Sequence, residues 1–294
     1  MTTDIYIPKS ALPLSDETAK QQIRLGIQGA GGSGKNWSIL GTPDGKQKGF
    51  PNCMVLNLDR GLASHIGCAG IYQIPFYKMS KLENRKDDLT VWFNNEAPRL
   101  TENQTLVIDS LSDMETIYHS WWDKFGKPAA LTQEGNFNKF EEWNIKDKWF
   151  SEIHSVIKNL RCDVITLTHE TEKADKPTSP GQPGLYTGKI RPLLTGKFGD
   201  KLVKEYTMWF RQFSARKNLE PKDETLRDFR MTKSEFIECQ KMFTGETFYY
   251  WQTCGDDNFD AKASGLQNIP TKIPATYETF LKYTKQQITP ATNK

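Results

Sequence analysis

The sequence predicts an α/β domain with a mostly parallel central sheet and helices on both faces. Three observations carry this. Short apolar runs alternate with longer segments of helical periodicity along most of the chain. The first apolar run ends in a cluster of glycines. Two later runs end in acidic or polar residues, as parallel strands do where their carboxyl ends face a ligand.

Residues 1–22 are polar, carry two prolines and read as an arm. The run 23–27 is a strand interrupted by Arg24 and Gly26, and a short helix is expected after the glycines, followed by a loop to residue 50. Residues 54–58 form a second strand ending at Asp59, and 71–75 a shorter third. Leu82, Leu89, Trp92, Phe93 and Ala97 recur at helical spacing. Residues 105–108 are a strand ending in Asp109, with a helix over 111–125 and a loop over 126–135. On the helix 139–160, Trp143, Phe150, Ile153, Ile157 and Leu160 share one face and are expected in the core. Residues 163–167 are another buried strand. The segment 171–188, rich in Lys, Pro, Gly, Ser and Thr, reads as a mobile loop. Strands are expected over 206–213 and 247–253, flanking a partly helical stretch. The expected organisation is an arm (1–22), one core (23–255) and a tail (256–294), with no internal repeat.

The chain has 294 residues and a net charge of +3 from 39 basic and 36 acidic side chains, which excludes a uniformly basic nucleic-acid coat. Aromatic residues make up 12% of it, too many for a solvated coil. There is neither an apolar run of about 18 residues nor a signal-peptide pattern, so no membrane partner is expected. The five scattered cysteines contain no CxxC pair. They read as reduced thiols of a cytoplasmic protein.

The glycine cluster is Gly29-Ala30-Gly31-Gly32-Ser33-Gly34-Lys35-Asn36, followed by Trp37. It fits GxxxxGK, the first seven positions of a phosphate-binding P-loop, and it follows a strand as such a loop must. Glycines let backbone N–H groups approach phosphate oxygens with no Cβ in the way, and the next helix adds a favourable partial charge. Lys35 would reach the β- and γ-phosphates. The competing reading is a flexible turn with a surface lysine. One position departs from the pattern: Asn36 stands where a Ser or Thr hydroxyl would bind Mg²⁺. An amide oxygen is an acceptable hard ligand, but its different reach puts hydrolysis in doubt more than nucleotide binding. Ser38 lies on another helix face and cannot substitute.

Residues 104–110 place Asp109 at the end of a β-branched strand, the Walker B form, where it would hold the Mg²⁺ shell. An N-cap role for Asp109 is the alternative. Residues 163–170 end in Thr168, His169 and Glu170. Either Thr168 or His169 could sense a γ-phosphate, and a backbone-bonded loop histidine is the alternative.

In this order, the glycine loop, VIDSLSDM, the long helix, ITLTHE and the Pro/Gly/Lys loop resemble the RecA-like P-loop ATPases. The likeness extends to the phage-encoded AAA_24-like group, with its Sak-type single-strand annealing proteins. Two later stretches, 188–202 and 250–262, are similar to segments of that group, so the resemblance covers roughly residues 22–275. It implies a RecA-like core that binds ATP and Mg²⁺ between head-to-tail subunits of a ring or short filament. It also implies action on single-stranded DNA, alongside phage recombination or replication proteins. Two DNA-facing loops are implied, near 122–139 and over 171–188. Lys262 matches a late lysine of the group that would reach a neighbour's phosphate. The group often places a catalytic Glu near the end of the second strand; here that strand ends Leu58-Asp59-Arg60-Gly61, leaving Asp59 as the candidate base.

Nine aromatics lie between Tyr118 and Phe150. Trp122, Phe125 and Phe137, with Lys124 and Lys127 nearby, could stack unpaired bases, although such rings equally serve cores and interfaces. Residues 172–205 hold seven basic side chains against four acidic ones. Lys173, Lys176, Lys189 and Arg191 are the candidate backbone contacts there, and an ordinary solvated loop is the alternative. The expected function is ATP-dependent recombination or annealing. A nucleotide-binding module without hydrolysis, or a P-loop kinase of another class, is the alternative.

Overall fold

A computed structural model describes residues 22–129, 139–174, 186–243, 245–264, 266 and 269–285. In chain order, the first half runs β1 (Arg24–Gln28), α1 (Lys35–Leu40), β2 (Cys53–Asn57), β3 (Ile71–Pro75), α2 (Phe76–Met79), α3 (Arg85–Asn95), β4 (Thr105–Asp109) and α4 (Leu111–Trp121). After a π-turn at Trp122–Gly126 come α5 (Lys127–Ala129), α6 (Lys139–Asn159), β5 (Asp163–Thr168), β6 (Glu170–Ala174), β7 (Tyr186–Pro192) and α7 (Lys197–Glu205). The remainder is β8 (Met208–Arg216), α8 (Asp223–Phe229), α9 (Lys233–Lys241), β9 (Thr247–Gln252), β10 (Lys262–Ala263), β11 (Lys272–Pro274) and α10 (Tyr277–Lys285).

The main sheet has the order β11-β9-β8-β1-β5-β4-β2-β3, with β10 beside β8. From β3 to β8 every pairing is parallel, while β9, β10 and β11 join antiparallel. The parallel strands are apolar because both faces are covered. Alternate residues serve opposite layers: Leu106 and Ile108 pack under α3, α4, α6 and α7, and Val107 faces the layer of α1 and α10. A third cluster joins α8 and α9 to the outer part of β8 and β9.

Gly26 is the one position in β1 where the sheet requires a glycine. A Cβ there would lie 1.9 Å from the indole of Trp209, which is fully buried. Arg24, also buried in β1, spends its guanidinium on carbonyls of the turn between α6 and β5, including Cys162 O at 2.9 Å.

Three expectations need correction. The tail is no appendage to the core: β10 and β11 extend the sheet, and Phe280 and Tyr283 of α10 pack into the second core layer, Phe280 against Phe50. The segment read as a mobile loop includes a two-stranded antiparallel ribbon, β6–β7, with Thr171 opposite Arg191. Its flanks are held, Leu193 N–H donating to His169 O at 2.7 Å and Thr195 N–H to Glu115 at 3.0 Å. Trp143 is 39% exposed and lies over Lys146, whereas the rest of its helix face is buried as expected.

Gly26→Ala is expected to destabilise the protein by about 1–3 kcal/mol or more through overpacking. Urea denaturation would measure this, and part of the loss should return when Trp209→Leu is added to the same chain.

Candidate nucleotide site

Parallel register brings the carboxyl ends of β1, β5 and β4 side by side, with Gln28 opposite Thr168 and Ile108 opposite Thr166. The glycine loop, His169 and Asp109 therefore meet at one edge of the sheet. Gly29 N–H donates to Thr168 O at 3.2 Å, which fixes the start of the loop. Gly32 and Gly34 take φ values of 75° and 81°, left-handed conformations that favour glycine. At Gly34 a side chain is doubly excluded, because a Cβ would strike the ring of Tyr249 at 2.2 Å.

The loop has the shape of an anion cradle. A Cβ at Gly31 or Gly32 would meet nothing within 4 Å, so the backbone there faces open space. The buried hydroxyl of Ser33 has no hydrogen-bond partner among the described residues. Lys35 is 8% exposed and curls back over the loop, donating to Gly29 O at 2.9 Å and Ala30 O at 3.0 Å. Burial lowers its pKa, opposed by Asp109, Glu170, Asp113 and Asp59. Trp37 packs edge-on to His65 and beside Tyr249, each at 6.3 Å between ring centres.

Asn36 Nδ2 donates to Asp109 Oδ2 at 3.0 Å. The first turn of α1 thus meets the acidic strand end directly. Asp109 is 6% exposed, and burial with the nearby Asp59 carboxylate raises its pKa to about 6, against the Asn36 hydrogen bond. Ser110 caps α4, accepting from Asp113 N–H at 3.3 Å and donating to the Asp113 carboxylate. Asp113 is itself raised, first by burial. The Asp59 carboxylate accepts from Gly61 N–H at 2.7 Å on the exposed rim, so it is not a sequestered base. His169 N–H donates to Ser112 Oγ at 3.1 Å, and burial followed by the Lys35 charge lowers the pKa of its ring.

Sequence reasoning missed the brace beneath the loop. Gln212, 1% exposed on β8, accepts from Ser38 Oγ at 2.7 Å and Trp251 Nε1 at 3.0 Å, and donates to Ser33 O at 2.9 Å. Ser38, set aside as a metal ligand, is one of its partners. The missed Arg211 forks onto Glu170 at 2.8 and 3.0 Å, next to His169.

Other expected residues lie elsewhere. Trp122 is 2% exposed and stacks on Tyr118, so it belongs to the core and offers no platform to a base. Lys262 pairs with Trp209 at the far end of β8, and its ammonium donates to Lys204 O at 3.1 Å. It caps α7, away from its own phosphate loop. Phe125 is 43% exposed, and Lys124 and Lys127 are exposed beside it. Lys173, Lys189 and Arg191 sit on the β6–β7 ribbon, Lys189 pairing with Asp260 at 3.5 Å. Phe137 and Lys176 lie outside the described residues.

A family model described as an AAA domain, AAA_24, matches residues 21–235. The chain belongs to the AAA_24 family. It therefore carries a nucleotide-binding P-loop ATPase domain, and its α/β architecture, with the mostly parallel sheet, is that of a RecA-like core. No curated protein matches the chain. In this AAA_24 domain no described helix is long and apolar enough to cross a membrane.

The residues present fit Mg²⁺ and nucleotide together. Mg²⁺ is commonly held by one or two carboxylates plus substrate phosphates. Asp109 supplies a buried carboxylate beside the Asn36 amide, and the open loop backbone supplies the phosphate side.

Two outcomes are expected. Asp109→Asn removes a carboxylate whose folded pKa is raised. The stability linked to that group is full below the unfolded pKa and lost as pH rises through about 6. The variant should therefore be more stable than the parent at pH 7.5 by about 1–3 kcal/mol, and equal to it near pH 4, by denaturant titration without nucleotide. Gln212→Ala should cost about 1–3 kcal/mol through orphaned partners. It should also weaken nucleotide binding measured by calorimetry.

Proposed function

We propose that this AAA_24 protein hydrolyses ATP and acts on single-stranded DNA, in recombination or annealing of the phage type, as a head-to-tail oligomer. The observation that carries the reading is the attachment of the β6–β7 ribbon. The ribbon starts one residue after His169, at the nucleotide edge, and its return flank bonds to His169 O and to Glu115 on the helix that follows Asp109. A change at the phosphate edge would reach the ribbon through one hydrogen bond, and the ribbon carries Lys173, Lys189 and Arg191. Cations on such a ribbon suit a sugar–phosphate backbone. Exposed Phe125, with Lys124 and Lys127, supplies a second surface where a base could stack. Phage origin, annealing and the oligomer rest on the resemblance of the motif order.

Within the site, Lys35 would position the terminal phosphates, and Asn36 and Asp109 would hold the metal shell. Mg²⁺, when bound, supplies charge compensation for the phosphates. Asp59 and His169 flank this point, Asp59 as the candidate to orient a water.

A specific observation favours the second reading, a nucleotide-responsive DNA-binding module without turnover. Asn36 already engages Asp109, and Asp59 is exposed rather than held as a base.

ATP turnover with and without single-stranded DNA tests both. DNA-stimulated turnover, lost by at least tenfold in Lys35→Ala, is the expected result. Binding without turnover, with turnover gained in Asn36→Thr, would establish the module instead. No DNA binding at low salt would remove both. Lys189→Ala and Arg191→Ala should each weaken DNA binding irrespective of sequence and lower the salt slope by about 1.

A further inference from the structure

Between α6 and α7 lies a groove of about 510 Å³ that shares no residue with the nucleotide site. Each helix runs by a short turn into a parallel strand, α6 into β5 and α7 into β8, so the two descend the sheet side by side in one direction. The groove is held at both ends. The Asp147 carboxylate accepts from Phe198 N–H at 3.4 Å at the start of α7, and Lys158 pairs with Glu205 at its end. Phe198 also stacks on Phe150, at 5.2 Å between ring centres.

Packing does not explain two features of this groove. The first is its cations. Lys148 and Lys158 have acidic partners in Glu152 and Glu205. Lys197 and Lys201, one turn apart on α7, form no ion pair among the described residues, and both line the groove. Like charges at this spacing repel, and Lys197 opens the helix, where the macrodipole disfavours a cation. A bound anion would relieve both costs. The second feature is His154, 6% exposed. Its Nε2 has no hydrogen-bond partner among the described residues, and the Glu205 carboxylate stands off at 3.9 Å. Burial lowers the pKa of the ring to about 4, so it is neutral. A buried polar atom with nothing to bond points to a missing partner.

We propose that the α6–α7 groove is an anion site for phosphate groups other than those of the nucleotide. Lys197 and Lys201 supply the charge. Lys158 exchanges Glu205 for a phosphate oxygen, and His154, uncovered as Glu205 leaves, donates from the floor. The inference stands apart from the nucleotide reading, because none of these residues lines the glycine loop. The ligand chemistry is that of a phosphate ester, found in a sugar–phosphate backbone and in a free phosphorylated compound alike.

Two probes test this on the full chain. Inorganic pyrophosphate is titrated calorimetrically into Lys35→Ala, so that the glycine loop does not compete. A fluorescent oligo(dT) is followed by anisotropy with the wild-type protein. Added to each background, Lys201→Ala should weaken at least one probe by about fivefold or more, with Lys197→Ala acting in the same direction. Lys233→Ala, which removes an exposed lysine from α9, should change neither probe by more than about twofold. His154→Phe removes no charge at neutral pH. It should weaken the same probe by about threefold or more, without lowering the thermal midpoint, because it deletes an unpartnered buried polar group. Losses for pyrophosphate alone assign a free phosphorylated compound. Losses for the oligonucleotide, alone or with pyrophosphate, assign a nucleic-acid backbone. Unchanged binding of both probes in Lys201→Ala or in His154→Phe, or equal losses in Lys233→Ala and Lys201→Ala, would overturn the site.

Discussion

One ammonium group faces four carboxylates. Lys35 lies within electrostatic reach of Asp109, Glu170, Asp113 and Asp59, and it is hydrogen-bonded to two loop carbonyls rather than to any of them. Much of the site follows from this imbalance. Burial raises the pKa of Asp109 and of Asp113, and the Asp59 carboxylate raises both further. Glu170 is drawn off by Arg211. A polyphosphate entering this edge adds negative charge to an acidic surround, so it is favoured when a divalent cation accompanies it.

The loop keeps its form because two unlike supports hold it. Along the sheet, its first residue bonds to the neighbouring strand end. Beneath it, Gln212 ties together Ser33, Ser38 and Trp251. An amide can do this because it both donates and accepts, and at 1% exposure each missing partner would leave a polar atom stranded. The same edge organises the ribbon, which leaves the sheet one residue after His169 and is fastened again before α7.

The parts of the fold carried by periodicity were legible in the sequence. The parallel strands are apolar because they are covered twice, and the glycine loop and Asp109 stand where strand ends must lie. The ribbon was not legible, because β6 and β7 carry charged and polar residues that look like loop. β10 and β11, with two and three residues, are too short to show alternation. Trp122 was misplaced because proximity to a loop does not say which face of the turn a ring occupies, and it turns inward onto Tyr118. Trp143 erred the other way: it shares the core-facing stripe of α6, yet it lies where that stripe runs out over Lys146. Gln212 gave no signal, since a buried glutamine is indistinguishable in sequence from a surface one. Tyr249 was hidden because it approaches the glycine loop from a distant part of the chain.

The place of β1 in the sheet has a consequence for how the chain comes to be folded. Its neighbours in the sheet are β5 on one side and β8 on the other. The contacts that fix its first residues span 140 positions to Asp163 and 183 to Thr207. During synthesis the glycine loop would leave the ribosome ahead of β5 and β8 and wait, without its strand neighbours or the Gln212 brace, until β8 had emerged. Contacts of such long range close late. The cradle is thus made before the strands that fix it, so a nucleotide can find its seat only once β5 and β8 have both joined β1.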